Sequence, residues 1–302
     1  MQPPDKVVLE HAGALGDFLL SWPLFLSLAR HFNGLPVYQT VRPSHAHWLA
    51  PLADPCPPAL RRALAARFEP GPWPVALADT LVVRAGLAAR PPLPEHERFW
   101  FFHGVAPGRD VPPAALHREA LEARGIPFAT DYAATFRAHF GGHVPKGNTA
   151  LLFPGAGHQD KAWPLARLQY LAAVLRNHGV KPVFVLGPVE RERGLAPARE
   201  AVVCPESLEE LARIIRAARF VVGPDCGPMH LAGLHGVPGV ALFGPTSPRQ
   251  WGPHGLEIVT AGLPCSPCVA VTSGDFAPAC PRPLPCMAGI DVETVVAALG
   301  LS

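Results

Sequence analysis

The stretch Val221-Val222-Gly223-Pro224-Asp225-Cys226-Gly227-Pro228-Met229-His230-Leu231-Ala232 runs from an apolar strand through a short polar turn straight into a helix. A strand that passes so directly into a helix belongs to a parallel sheet built with crossover helices, which leaves few architectures open. The turn also has chemistry. Several backbone N–H groups point to one place, and the helix dipole adds partial positive charge there, so the feature is an anion site suited to a diphosphate.

The same alternation can be followed along the chain. Lys6 to Glu10 reads as a first buried strand, His11 to Asp17 as a Gly-rich turn, Phe18 to Phe32 as a helix, and Pro36 to Val41 as a second strand. From Pro43 to Gly142 only weak elements emerge: helices over Ala59 to Phe68 and Ala114 to Arg124, and a strand over Val75 to Leu77. Strands then recur at Thr149 to Phe153, Pro182 to Leu186, Arg219 to Val222 and Val240 to Phe243. Between them lie a helix over Pro164 to His178, with Pro at its first turn and Gly179 past its end, and one opened by a Ser207/Glu210 capping box. This is an α/β chain of two Rossmann-like, doubly wound domains, residues 1–145 and 146–287, divided at His143-Val144-Pro145-Lys146-Gly147. Two such domains facing one another would line a central cleft with the carboxyl ends of both sheets.

Composition narrows the partners. A formal net charge of +2 gives no reason to expect a nucleic acid. Of the 38 prolines, 17 fall from Pro36 to Pro145, which predicts short elements and many loops there. The longest apolar run, Phe18 to Ala29, is too short for a bilayer and contains Pro23, and no signal peptide is evident at Met1-Gln2-Pro3-Pro4. A cytoplasmic location is expected. Seven cysteines, an odd number, suit a reducing compartment.

Three turns carry the candidate chemistry. Asp17 follows Gly13-Ala14-Leu15-Gly16; it reads either as the N-cap of the next helix or as a general base held where an acceptor hydroxyl would approach. Gly155, Ala156 and Gly157 form a turn whose backbone can approach an anion, and Lys161 stands just before a helix start. That lysine is either a solvated charge or a phosphate ligand. In the third turn the amides of Cys226, Gly227 and Met229 are the phosphate donors, Asp225 bonds sugar hydroxyls or fixes the turn, and His230 is a core histidine or part of the site. Cys265, Cys268, Cys280 and Cys286, spaced C-x2-C-x11-C-x5-C, read as a structural zinc site, as free thiols or as a disulfide. A dinucleotide oxidoreductase fits poorly, since the first turn lacks G-x-G-x-x-G and no acidic residue ends the second strand at Val41.

With these turns in this order the chain resembles glycosyltransferase family 9, the ADP-heptose:lipopolysaccharide heptosyltransferases. The matching stretches are Gly13 to Pro23, Phe153 to Gly157 through Lys161-Ala162-Trp163-Pro164, Gly223 to His230, Leu242 to Pro248, and the tail ending Cys286-Met287. The resemblance implies a GT-B fold in which residues 288–302 form a helix returning to the N-terminal, acceptor-side domain. It implies a metal-independent, inverting transfer that needs no cofactor, with Asp17 as catalytic base and Lys161 on the donor diphosphate. The donor set it implies is Gly16, Gly155, Ala156, Gly157, Lys161, Asp225, Cys226, Gly227, Met229 and His230, with Glu190 or Glu192 near the ribose. The implied partners are a nucleotide-diphospho-sugar, ADP-heptose first, and a lipid-linked saccharide acceptor of the lipopolysaccharide core at the inner-membrane surface. A UDP-sugar for another surface glycan, or a scaffold that binds nucleotide-sugar without catalysis, are the alternatives. Cys226 stands where the family has Ser or Thr, and Glu10-His11 where many members carry a basic residue.

Overall fold

Apolar residues buried on both faces mark a strand at the centre of a parallel sheet, and Val7, Val8 and Leu9 are fully buried in this way. The computed structural model describes residues 3–87, 96–195, 197, 199–268, 278 and 280–301. The chain divides into two compact units, Met1–Tyr132 and Ala133–Ser302.

In the first unit, β1 (Lys6–His11), β2 (Val37–Val41), β3 (Asp54–Pro55), β4 (Thr80–Gly86) and β5 (Phe99–His103) form a sheet in the order β3-β2-β1-β4-β5. Every pairing is parallel, with Leu9 opposite both Gln39 and Val83. The helices are α1 (Leu15–His31), α2 (Ala46–Leu49), α3 (Pro58–Ala66) and α4 (Pro113–Glu122). Phe18, Trp22, Phe25 and Leu28 bury one face of α1, and the Trp22 indole donates to the Trp48 carbonyl at 2.9 Å. The two weak helices expected before residue 142 correspond to α3 and α4. The strand expected over Val75 to Leu77 is a 3-10 turn instead: Pro74 accepts from Leu77 N–H at 2.8 Å, and Val75 is 89% exposed. β4 and β5 carry that part of the sheet.

In the second unit, β6 (Thr149–Leu152), β7 (Lys181–Val185), β8 (Val202–Val203), β9 (Phe220–Pro224), β10 (Gly239–Phe243) and β11 (Glu257–Thr260) lie in the order β11-β10-β9-β6-β7-β8, all parallel. Its helices are α5 (Tyr132–Phe140), α6 (Leu165–Asn177), α7 (Pro188–Glu192), α8 (Leu208–Ala217), α9 (Gly227–His235), α10 (Pro248–Trp251), α11 (Pro285–Ala288) and α12 (Val292–Ala298). Leu168, Leu171 and Leu175 of α6 share one core with Trp163, Leu242, Val292, Val295 and Val296. Each such side chain contributes about 1.5–3 kcal/mol by leaving water.

The compact units divide after Tyr132, at the first residue of α5, ahead of residues 143–147 where the sequence reading divided them. Ala129 N–H donates to the Ser27 hydroxyl and Arg30 grips Asp131 at two points, which ties the chain to α1 as far as residue 131. From Phe136 onward the chain contacts α8 and α9. Phe136 packs edge-on against His235, and the backbone N–H groups of His143, Val144 and Lys146 donate to His235, Arg216 and Ala217. The expected linker is therefore hydrogen-bonded along the second unit. Within the second unit α12 lies on α6, β10 and β11, and Trp163 donates to the Ile290 carbonyl. Among the described residues no helix is long and apolar enough to cross a membrane.

Candidate functional site

The chain enters the second sheet at β6, adds β7 and β8 on one side, then returns to the other side for β9, β10 and β11. Strand order thus reverses between β6 and β9, and doubly wound sheets bind ligands beyond the carboxyl ends of their strands at such a point. There the turns after β6, β9 and β10 meet on one oxygen. Lys161 Nζ donates to Asp225 Oδ2 at 2.8 Å, and the Thr246 hydroxyl donates to the same oxygen at 3.0 Å. Asp225 and Thr246 are buried, whereas the Lys161 side chain keeps 23% of its exposure. Asp225 thus holds the ammonium at the mouth of the site, within reach of an anion from solvent. Thr246 lies in the Phe243-Gly244-Pro245-Thr246 turn; its role as the third point of this cluster depends on β9 and β10 being neighbours.

The remaining residues expected here take distinct positions. Glu190 folds back over the β6 turn: Gly187 N–H donates to its Oε2 at 2.8 Å, and a Cβ on Gly155 would lie 1.7 Å from its Oε1. Only glycine leaves room for that carboxylate. Glu192 is exposed on α7, so of the two glutamates it is Glu190 that reaches the turn. Ala156 is buried, and Gly157 has open space where a Cβ would stand. Cys226 is the N-cap of α9, which starts at Gly227. The Met229 amide, expected to be a phosphate donor, already donates to the Cys226 carbonyl at 3.1 Å. Burial pushes the Cys226 thiol up to about 12, so it is a neutral thiol. Burial also lowers His230, with Asp225 opposing that shift, which favours the uncharged imidazole.

Asp160, beside Lys161, went unnoticed in the sequence. It is buried, and both of its oxygens accept from Arg282, with Arg282 Nη2 to Asp160 Oδ2 at 2.9 Å and a second contact from Nε. Arg282 holds the Asp160 carboxyl below the usual carboxylate range, against the opposing effect of burial. Nothing local connects residues 122 apart in sequence, so this pair had no readable signal.

Gly16 and Asp17 lie in the first unit. Asp17 is inside the first turn of α1, whose N-cap is Ala14 with no side-chain bond, so the capping reading of Asp17 fails. Its carboxylate lies 3.0 Å from where a Cβ on Gly13 would be, and the His11 ring lies 2.8 Å from the same point. His11 Nδ1 accepts from Gly13 N–H at 3.2 Å. Burial, then His45, lowers His11 to about 3, so the ring beside Asp17 is neutral. Glu10 is paired, not vacant: Arg67 donates to both its oxygens at 2.9 and 2.6 Å, and Thr40 donates at 3.2 Å. A cavity of about 560 Å³ opens beside these strand ends, lined by His11, Gln39, Thr40, Arg42 and Arg61 among others.

The zinc reading of the four tail cysteines is not supported. Among the described residues no group of three or more His, Cys, Asp or Glu side chains is placed to hold a metal ion. Cys286 is buried against Gly244, while Cys265, Cys268 and Cys280 are exposed free thiols.

Two successive doubly wound parallel units are the architecture of the GT-B fold. Solved structures agree on the fold. The E. coli heptosyltransferase WaaC with ADP matches with a TM-score of 0.59 and 21% identity, over 84% of this chain and 92% of that one. The E. coli ADP-heptose lps heptosyltransferase II matches with a TM-score of 0.65 and 15% identity, over 98% and 97%. The profile of Glycosyltransferase family 9 (heptosyltransferase) matches residues 120–274, slightly more than half of the 302, and the chain belongs to that family. Lipopolysaccharide heptosyltransferase 1 of Pseudomonas aeruginosa is 32% identical over 209 residues, 67% of this chain; the match spans 57% of that relative's length.

Proposed function

We propose that this protein is an inverting heptosyltransferase that moves heptose from ADP-heptose to a lipopolysaccharide core-type acceptor without a metal. The carrying observation is the Lys161–Asp225–Thr246 cluster at the β6/β9 switch point. Family membership supports the sugar-transfer class. The names of the Pseudomonas relative and of the ADP-bound E. coli structure support the particular acceptor and nucleotide.

In this reading the acceptor hydroxyl attacks the anomeric carbon of the heptose from the face opposite the diphosphate. The new C–O bond forms as the bond to the diphosphate oxygen breaks, which inverts the centre. Asp17 takes the hydroxyl proton, and its neighbour His11, lowered to about 3, stays uncharged beside it. Lys161 and the N-terminal end of α9 stabilise the charge that develops on the leaving ADP. Asp225 keeps the lysine in place before the donor arrives. Glu190, against Gly155, is the acceptor of the ribose hydroxyls. The cationic cavity beside Arg42 and Arg61 suits acidic groups of the acceptor saccharide. The acceptor is lipid-linked and is met at the cytoplasmic surface of the inner membrane.

The test is calorimetric titration of ADP, UDP and GDP without added metal, with wild type and Lys161→Ala. ADP should bind preferentially, and the substitution should weaken it at least tenfold, the scale of losing one charge-assisted contact. Turnover with Asp17→Asn should fall by about a hundredfold or more. Preference for UDP or GDP would move the donor to another sugar nucleotide. Undiminished turnover of Asp17→Asn would remove the assigned base.

A further inference from the structure

Lys161 stands on a 3-10 turn of only three residues, Gln159–Lys161. Such a turn has little hydrogen bonding of its own to hold a functional side chain. Lys161 N–H donates to the His158 carbonyl at 3.0 Å, Asp160 N–H donates to His158 Nδ1 at 3.3 Å, and the Asp160 carboxylate turns inward. That carboxylate's side chain is 2% exposed, and Arg282 covers it at two points while keeping 61% of its own side-chain exposure. The segment carrying Arg282 also supports the neighbouring turn. A Cβ on Gly244 would lie 2.5 Å from Met287 Sδ and 3.0 Å from Cys286 Sγ, two residues before Thr246.

We propose that Arg282 is a positioning residue for the donor site, acting through Asp160 to hold Lys161. This rests on the donor reading given above. Two physical effects combine. A buried carboxylate without its partner is costly, so loss of Arg282 drives Asp160 toward water and pulls the adjacent Lys161 out of register with Asp225. Arg282 also neutralises a negative charge one residue from the lysine, a charge that would oppose a diphosphate.

The experiment measures ADP and adenosine binding by calorimetry, with thermal melts, for wild type, Arg282→Gln, Arg282→Lys and the double variant Arg282→Gln/Asp160→Asn. Arg282→Gln should weaken ADP about tenfold and leave adenosine within about twofold, because only the phosphates meet Lys161. The double variant removes the stranded charge and should recover most of the lost ADP affinity. Arg282→Lys keeps the charge without the two-point geometry and should fall between. A general loss of fold would weaken both ligands together and would not be rescued by Asp160→Asn; that pattern, or ADP binding by Arg282→Gln equal to wild type, overturns the proposal. Wild type that binds no ADP would fell the donor reading and this proposal with it, whereas wild-type binding that survives Arg282→Gln fells the proposal alone.

Discussion

At the scale of single residues, contacts with no slack make the sharpest tests. A methyl group on Gly155 would lie 1.7 Å from Glu190 Oε1, so Gly155→Ala must swing that side chain away and break its bond with Gly187 N–H. The expected stability cost is about 1 kcal/mol, that of one hydrogen bond. ADP affinity should fall by more than that loss of stability alone would bring about, since Glu190 is the proposed ribose contact; titration of the folded variant checks this. Arg67 and Glu10 form a buried two-point ion pair, with side-chain exposures of 2% and 10%, and Arg67 also lies over the Phe68 ring. Arg67→Met strands a buried carboxylate and should lower unfolding free energy by about 3–5 kcal/mol in urea titration. Replacing Glu10 by Leu as well should restore most of it, and a double variant no better than the single would show that the pair is not the source of the loss.

At the scale of elements, local rules were readable where they were self-contained. Ser207 was legible as an N-cap, and its hydroxyl does accept from Glu210 N–H at 3.1 Å. The reciprocal bond is shifted by one residue, because Glu210 Oε2 accepts from Glu206 N–H at 2.8 Å, not from Ser207. Ser207→Ala should therefore cost α8 about 1 kcal/mol, measurable as a lower urea midpoint at unchanged slope. Val75 to Leu77 shows the limit of such reading. Three apolar residues suggest a strand, yet Pro74 opens a tight turn, and the sheet takes Leu81, Val82 and Val83 as the neighbours of β1. Pattern alone does not rank two short apolar runs; strand pairing does.

At the scale of the molecule, buried histidines set the response to acid. In the first unit, burial lowers His11 to about 3 and His45 and His117 to about 4 from an ordinary value of 6.5. His117 has no exposure, and neither ring nitrogen has a partner. Since the folded values lie below the unfolded one, the unfolded chain takes up protons first as pH falls. Their stabilising effect is complete above about pH 6.5 and is lost as pH drops toward 4. Melts between pH 7.5 and 5 should show a steep decline, and His117→Leu should flatten part of it. A variant with the wild-type slope would mean that His117 does not drive the decline.

Periodicity, glycines and caps act over a few residues, and from the sequence alone they determined that the second half is a doubly wound sheet with glycine-bearing turns after β6 and β9. The candidate site was legible to the same depth: Lys161, Glu190 and Asp225 could be named, each on its own turn. Their joining could not. Strand order decided that Lys161, Asp225 and Thr246 share one oxygen and that Glu190, not Glu192, covers Gly155. The tertiary structure alone placed the division at the first residue of α5, packed α12 on α6, β10 and β11, separated the tail cysteines into buried and exposed thiols, and put Arg282 on Asp160. The physical reason is the same in each case. A buried charge, an open backbone group or an apolar face must be satisfied by whatever the fold brings beside it, and that neighbour is distant in sequence.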